Sequence, residues 1–236
     1  MDCWSSLEII MTEQELLDQE RRNTGTAWTR DDYFEKHGYL VIKNLWNPEE
    51  LYREVPSIRG QVNYWGKGLD QYNFIENEMQ VEGSLATYTH PQYKQIHSGI
   101  RKKLECVIGR ELYNTYYYDR FYFAGQELKK HADRDACEIS VSVHISSNLD
   151  ECWPFKIKSV QGEEYSLCLE PGDGLLYKGC ERPHWRDPLQ SRYKRKRDRL
   201  KNWVTRKEDD TYYHQVFFHY VLADGLRAQC YNDAAR

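Results

Sequence analysis

At 236 residues, 40% of them hydrophobic, the chain is long enough to bury a sizeable core and reads as one main domain over 29–236 preceded by a helical extension over 1–28. A formal net charge of −4 gives no overall drive toward nucleic acid or anionic lipid. No apolar run approaches the roughly 18 residues of a membrane span. The acidic start MDCWSSLEIIMTEQELLDQE lacks a basic region followed by an apolar core, so a cytoplasmic protein is expected. The 7 cysteines are an odd number, scattered and without a CxxC pair, which predicts reduced thiols, mostly buried as small hydrophobes.

In chain order, TEQELLDQERR has acidic residues early and Arg21 and Arg22 late, as a helix dipole prefers, and NTGT ends it. TRDDYFEKHG reads as a short helix with Thr29 as N-cap and Gly38 as its stop, leading into the strand YLVIKNLW. NPEELYREVPSI starts another helix, with Asn47 as cap and Pro48 at the first helical position. Residues 60–92 show no sustained period, and the aromatic, Gly-rich part over 61–76, with Tyr64, Trp65 and Tyr72, is expected to form a lid. PQYKQIHSGIRKKLECVIG restores a helical period through Ile96, Ile100, Leu104 and Ile108.

From Glu111 the chain turns to strands. ELYNTYYYDRFYFAG, EISVSVHIS, CWPFKIKSV, EEYSLCLE, GLLYKG and YYHQVFFHYV are separated by turn signals such as PGDG. Short strands at near-regular spacing after a helical section predict a mainly β fold with flanking helices, a double-stranded β-helix or jelly roll. The charge run over 191–210 interrupts the series and marks an insertion over about 187–210.

In KKHADRDACEISVSVHIS, His131 and Asp133 stand two positions apart, so an extended backbone places both on one face. His184 follows in CERPHWRDP, far enough on for about four strands and turns at about 8–12 residues each, which brings a jelly roll back beside its own early strand. Two imidazoles and one carboxylate on one face of a metal form the facial triad of non-heme Fe(II) oxygenases.

From about Tyr33 to Val221 the chain resembles the Fe(II)/2-oxoglutarate-dependent oxygenase superfamily, nearest to its prolyl-hydroxylase-like and phage or bacterial hydroxylase branches. FEKHGYLVIKNLWNPEEL, RFYFAGQELKKHAD, EISVSVHIS, PGDGLLY and CERPHWRDP carry the resemblance. It implies Fe(II) held by His131, Asp133 and His184, with 2-oxoglutarate and dioxygen as co-substrates, and hydroxylation of an unactivated C–H in a peptide or small-molecule substrate. A prolyl residue is the first substrate by analogy. Relatives that halogenate carry a small residue where this chain keeps Asp133, which favours hydroxylation. Family members place Arg or Lys on the strand after the distal His to pair with the far carboxylate of 2-oxoglutarate, and YYHQVFFHYV has neither.

Arg186, two beyond His184, is therefore the expected co-substrate anchor, with Arg192, Lys194 and Arg195 as fallbacks. Tyr122 and His144 are secondary co-substrate candidates, and Arg120 and Arg134 are polar groups near the barrel mouth. Two other readings compete. In one, the basic loop over 192–201 with Trp203 makes a nucleic-acid-facing or non-catalytic module. The other is a cupin-like metal enzyme, which draws more His ligands from one strand pair than HAD with a single distant His supplies.

Overall fold

A computed structural model describes residues 30–55, 80–193 and 209–233. The helical extension, the expected lid over 61–76 and most of the basic loop, including Lys194, Arg195 and Trp203, lie outside the described residues. In chain order the helices are α1 (Arg30–His37), α2 (Pro48–Leu51) and α3 (Lys94–Ile108). The strands are β1 (Tyr39–Ile42), β2 (Leu85–Tyr88), β3 (Leu112–Phe123), β4 (Leu128–His131), β5 (Ile139–Ser147), β6 (Phe155–Lys158), β7 (Glu164–Leu167), β8 (Gly174–Tyr177), β9 (His184–Arg186) and β10 (Tyr212–Leu222).

The strands form a six-stranded sheet in the order β1-β8-β5-β10-β3-β2 and a four-stranded sheet in the order β4-β9-β6-β7, with antiparallel pairing throughout. This is the expected double-stranded β-helix.

The outer face of the large sheet is apolar and packs on α3. Leu40, Ile42, Val141, Val143, Leu176, Val216 and Phe218 meet Ile96, Ile100, Leu104 and Val107 of the helix, each pair of helix positions three or four apart and so on one face. Each such side chain contributes about 1.5–3 kcal/mol on burial. Truncating Leu104, which is fully buried, would cost about 2–5 kcal/mol. Gly109 ends α3 at φ 65°, where a side chain would be strained, and its N–H returns to Glu105 O at 3.0 Å.

The inner face divides in two. Beside β1 and β8, Tyr39, Leu175 and Tyr177 close on Phe155, Ile157 and Leu167 of the small sheet. Toward β5, β10 and β3 it turns polar: the register sets Gln215 opposite both His144 and Arg120, and Tyr213 opposite Tyr122. All five are buried. Buried polar side chains gathered between two sheets mark this end as the place for a ligand rather than for core.

Three expectations need correction. Asp133 does not share a strand with His131, because β4 ends at His131. α2 stops after one turn with Tyr52 already extended, and Arg53 turns inward to Asp119. Cys152 and Cys168 are not reduced thiols but a disulfide with Cα atoms 5.8 Å apart, while Cys137, Cys180 and Cys230 are free. The β6–β7 hairpin pairs Phe155 with Leu167 and so draws the two flanking cysteines together.

Candidate active site

The antiparallel β4–β9 pair sets His131 directly opposite His184, with ring centroids 4.3 Å apart. Each ring has its Nδ1 within 3 Å of a backbone carbonyl two residues back, Lys129 O at 2.8 Å for His131 and Arg182 O at 2.9 Å for His184. A carbonyl only accepts, so both Nδ1 atoms carry the proton and both Nε2 atoms present a lone pair.

Asp133 reaches the same point from the loop beyond β4, held by its N–H to Gly179 O at 2.9 Å. Its Oδ1 lies 3.4 Å from His131 Nε2 and 3.5 Å from His184 Nε2. These are the atoms of a group with metal-ligating geometry. Neighbouring donors around an ion with bonds of about 2.1 Å stand about 3 Å apart, so the cluster needs little adjustment to hold one.

The electrostatics agree. Burial pushes the His184 pKa below its ordinary value, which keeps the imidazole neutral as a ligand must be. Burial alone would raise the Asp133 carboxyl; the adjacent imidazoles, His184 foremost, reverse that and hold it at about 2. Gln80 lies at the rim, with its Nε2 2.7 Å from His131 Nε2 and its Oε1 accepting from Arg120 at 2.9 Å. Its amide covers the lone pair a metal would take and would have to turn aside.

Arg186 occupies the next inward position on β9, about 6.6 Å along the strand from His184. It is 1% exposed and is held by Trp153 O, by Tyr213 Oη at 3.2 Å and by Gln215 Oε1 at 2.8 Å, with its guanidinium over the Trp153 and Tyr213 rings. None of these partners is a carboxylate, and Arg186 Nε and Gln215 Nε2 are both buried without an acceptor among the described residues. A buried cation beside unmatched donors is suited to an anion.

The other candidates divide. Tyr122 is fully buried in the same wall, against Trp153, with its hydroxyl accepting from Arg120 at 3.0 Å. His144 stacks on Tyr213 and bonds Leu169 O through Nδ1 at 2.8 Å; burial lowers its pKa to about 4, so its ring is neutral. Arg192 is engaged with Asp210 and Tyr193, and Arg134 with Asp233, both away from the polar interior.

Sequence reasoning passed over Gln80, Ser140, Tyr213, Gln215 and His219. For four of them a signal existed: YYHQVFFHYV and EISVSVHIS carry polar residues at alternate positions inside apolar runs.

Two antiparallel sheets closed on each other in this order make a double-stranded β-helix, the fold of solved iron- and 2-oxoglutarate-dependent oxygenase structures. Three solved structures show the likeness. A prolyl hydroxylase from Trichoplax adhaerens, in complex with a hypoxia inducible factor peptide fragment, superposes with a TM-score of 0.53 at 12% identity, covering 93% of this chain and 97% of that one. HygX from Streptomyces hygroscopicus, with nickel and 2-oxoglutarate bound, gives 0.54 at 12% identity, over 84% and 89% of the two chains. A Pseudomonas putida prolyl-4-hydroxylase gives 0.52 at 12% identity, over 80% and 96%. At such identities the likeness is one of fold. No protein-family model and no curated protein sequence matches the chain.

Proposed function

We propose that the protein is an Fe(II)- and 2-oxoglutarate-dependent oxygenase that hydroxylates an unactivated C–H bond. The observation that carries this reading is the convergence of two imidazole lone pairs and one carboxylate oxygen, with both rings fixed through Nδ1 to backbone carbonyls. His131, Asp133 and His184 would hold the metal. When bound, ferrous iron and 2-oxoglutarate supply the oxidising power, coupling dioxygen and loss of carbon dioxide from the oxo acid to oxidation of the substrate.

The chain's own residues bind, orient and shield. Asp133 stays ionised and His184 neutral, so the ligand set is ready at neutral pH. Arg186 presents a buried guanidinium from the next inward position of β9 after His184, so a dicarboxylate held at the metal could pair its far carboxylate with it. Tyr213 and Gln215, on the strand where relatives carry the basic residue, fix that guanidinium from across the interior. Tyr122 and Trp153 close the wall and keep water from the reacting groups.

Prolyl residues in peptides are the first substrates to test, because two similar structures are prolyl hydroxylases, one of them with a peptide. Small molecules come next, since HygX has also been solved with hygromycin B bound. The experiment is incubation with Fe(II), 2-oxoglutarate and oxygen, measuring succinate and a gain of one oxygen in candidate substrates. Turnover that needs all three and disappears in His131→Ala supports the reading; turnover unchanged by that substitution refutes it.

A further inference from the structure

Asp133 has two carboxylate oxygens, and only Oδ1 faces the imidazoles. Oδ2 points the other way, 3.3 Å from Ser140 Oγ. Ser140 is fully buried on the inner face of β5, and the register sets it opposite His219 of β10. His219 is 2% exposed, and its Nδ1 lies 2.9 Å from the same Oγ. We propose that Ser140 and His219 are positioning residues that fix Asp133 as a one-oxygen ligand, a proposal that rests on the metal reading above.

The direction of the hydrogen bonds follows from what each atom can do. Ser140 Oγ faces two pure acceptors, Asp133 Oδ2 and Cys137 O at 3.1 Å, and has one proton to offer. Whichever takes it, a lone pair is left toward His219, so His219 Nδ1 carries the hydrogen and donates. The ionised acceptor forms the stronger bond, which favours the order His219 Nδ1–H to Ser140 Oγ, and Ser140 O–H to Asp133 Oδ2. His97 fixes the backbone at the far end by donating from Nε2 to His219 O at 3.0 Å.

The packing admits no substitute. A Cβ on Gly179 would come within 2.6 Å of Asp133 Oδ2, 2.8 Å of Ser140 Oγ and 2.2 Å of Cys137 O, so only glycine lets this assembly close. Asp133, Cys137 and His219 also form a second group with ligating atoms close together. It is not a second metal site, because the Ser140 hydroxyl lies between its members and the Cys137 thiol is tied to the Tyr116 hydroxyl at 3.1 Å.

With Oδ2 held away, Asp133 offers one oxygen and cannot chelate with both, which leaves the remaining positions on the metal for the co-substrates. The test is titration of metal-free protein with Co(II), followed by its visible spectrum, for wild type, Ser140→Ala, His219→Leu and His219→Asn. Ser140→Ala and His219→Leu should weaken binding about 10–100-fold and shift the ligand-field bands. His219→Asn, whose amide N–H reaches about the place of Nδ1–H, should restore most of the affinity and the wild-type bands, which a purely structural role would not produce. If His219→Leu does not fold, Ser140→Ala decides alone. Wild-type affinity and spectrum in Ser140→Ala would overturn the positioning role and leave the metal reading standing. Failure of wild-type protein to bind Co(II) would overturn the metal reading and this proposal together.

Discussion

His131 and His184 are direct partners in the β4–β9 register, and both turn Nε2 toward the same oxygen of Asp133. Strand pairing, rather than loop geometry, fixes the spacing between the two rings. The third group then arrives from the loop after β4, tied to Gly179 O. Two of the three groups proposed to hold the metal thus sit on paired strands of the small sheet.

Arg186 should decide co-substrate affinity. Arg186→Lys keeps the charge but loses the planar fork seated on Tyr213 and Gln215. Loss of a hydrogen bond to a charged group costs about 1.5–3 kcal/mol, or about 10–100-fold in affinity. Calorimetric titration of Mn(II)-loaded protein with 2-oxoglutarate checks it, and equal affinity for both proteins would move the anchor elsewhere.

A buried ion network on the opposite face of the large sheet should matter for stability and not for chemistry. Asp119 accepts both Arg53 contacts, at 2.7 and 2.8 Å, and lies 2.7 Å from His214 Nε2. Strand alternation points Asp119 away from its neighbour Arg120 and so away from the proposed metal site. Asp119→Ala removes the buried carboxylate that Arg53 and His214 share and should cost about 3–5 kcal/mol in denaturant unfolding, with Co(II) affinity retained. A loss below about 1 kcal/mol would contradict this.

Stability should fall on mild acidification. Burial holds His97 at about 3 and His144 at about 4, below the ordinary 6.5. The unfolded chain therefore binds protons that the folded one refuses, and stability declines as pH drops from about 6.5 toward 4, by up to about 1.4 kcal/mol per pH unit for each group. Asp133 acts lower down: its contribution is present above its ordinary value of 3.8 and disappears as pH falls through about 2. Urea melts of the metal-free protein at pH 7, 5.5 and 4.5 should show the decline, and a flat profile would show that these imidazoles titrate normally.

Much of this was legible in the sequence. The strand series and the α3 period gave the layers, because burial of one face writes a period into the residues. The His131, Asp133 and His184 cluster was legible because the metal binding proposed for it needs those residue types. Alternation marked the polar lining on β5 and β10, but not the partners of those residues. Gln215 and Tyr213 act only through Arg186, which comes from the other sheet, and no local pattern reports a contact across an interior. Ser140 and His219 likewise become meaningful only when β5 and β10 are in register. The Cys152–Cys168 bond depended on the β6–β7 hairpin register, which an odd count of scattered cysteines does not disclose.

That bond closes a 16-residue separation, for which chain entropy gives about 3 kcal/mol. Peptide mapping without reductant should recover Cys152 and Cys168 in one linked species and the Cys137, Cys180 and Cys230 peptides alkylated. Alkylation of Cys152 in unreduced protein would contradict the pairing.

The most direct measurement is an iron-edge anomalous difference map from crystals grown with Fe(II) without oxygen. One peak should lie about 2.0–2.3 Å from His131 Nε2, Asp133 Oδ1 and His184 Nε2. A map with no peak among these three side chains, or with the iron held elsewhere, would contradict the account.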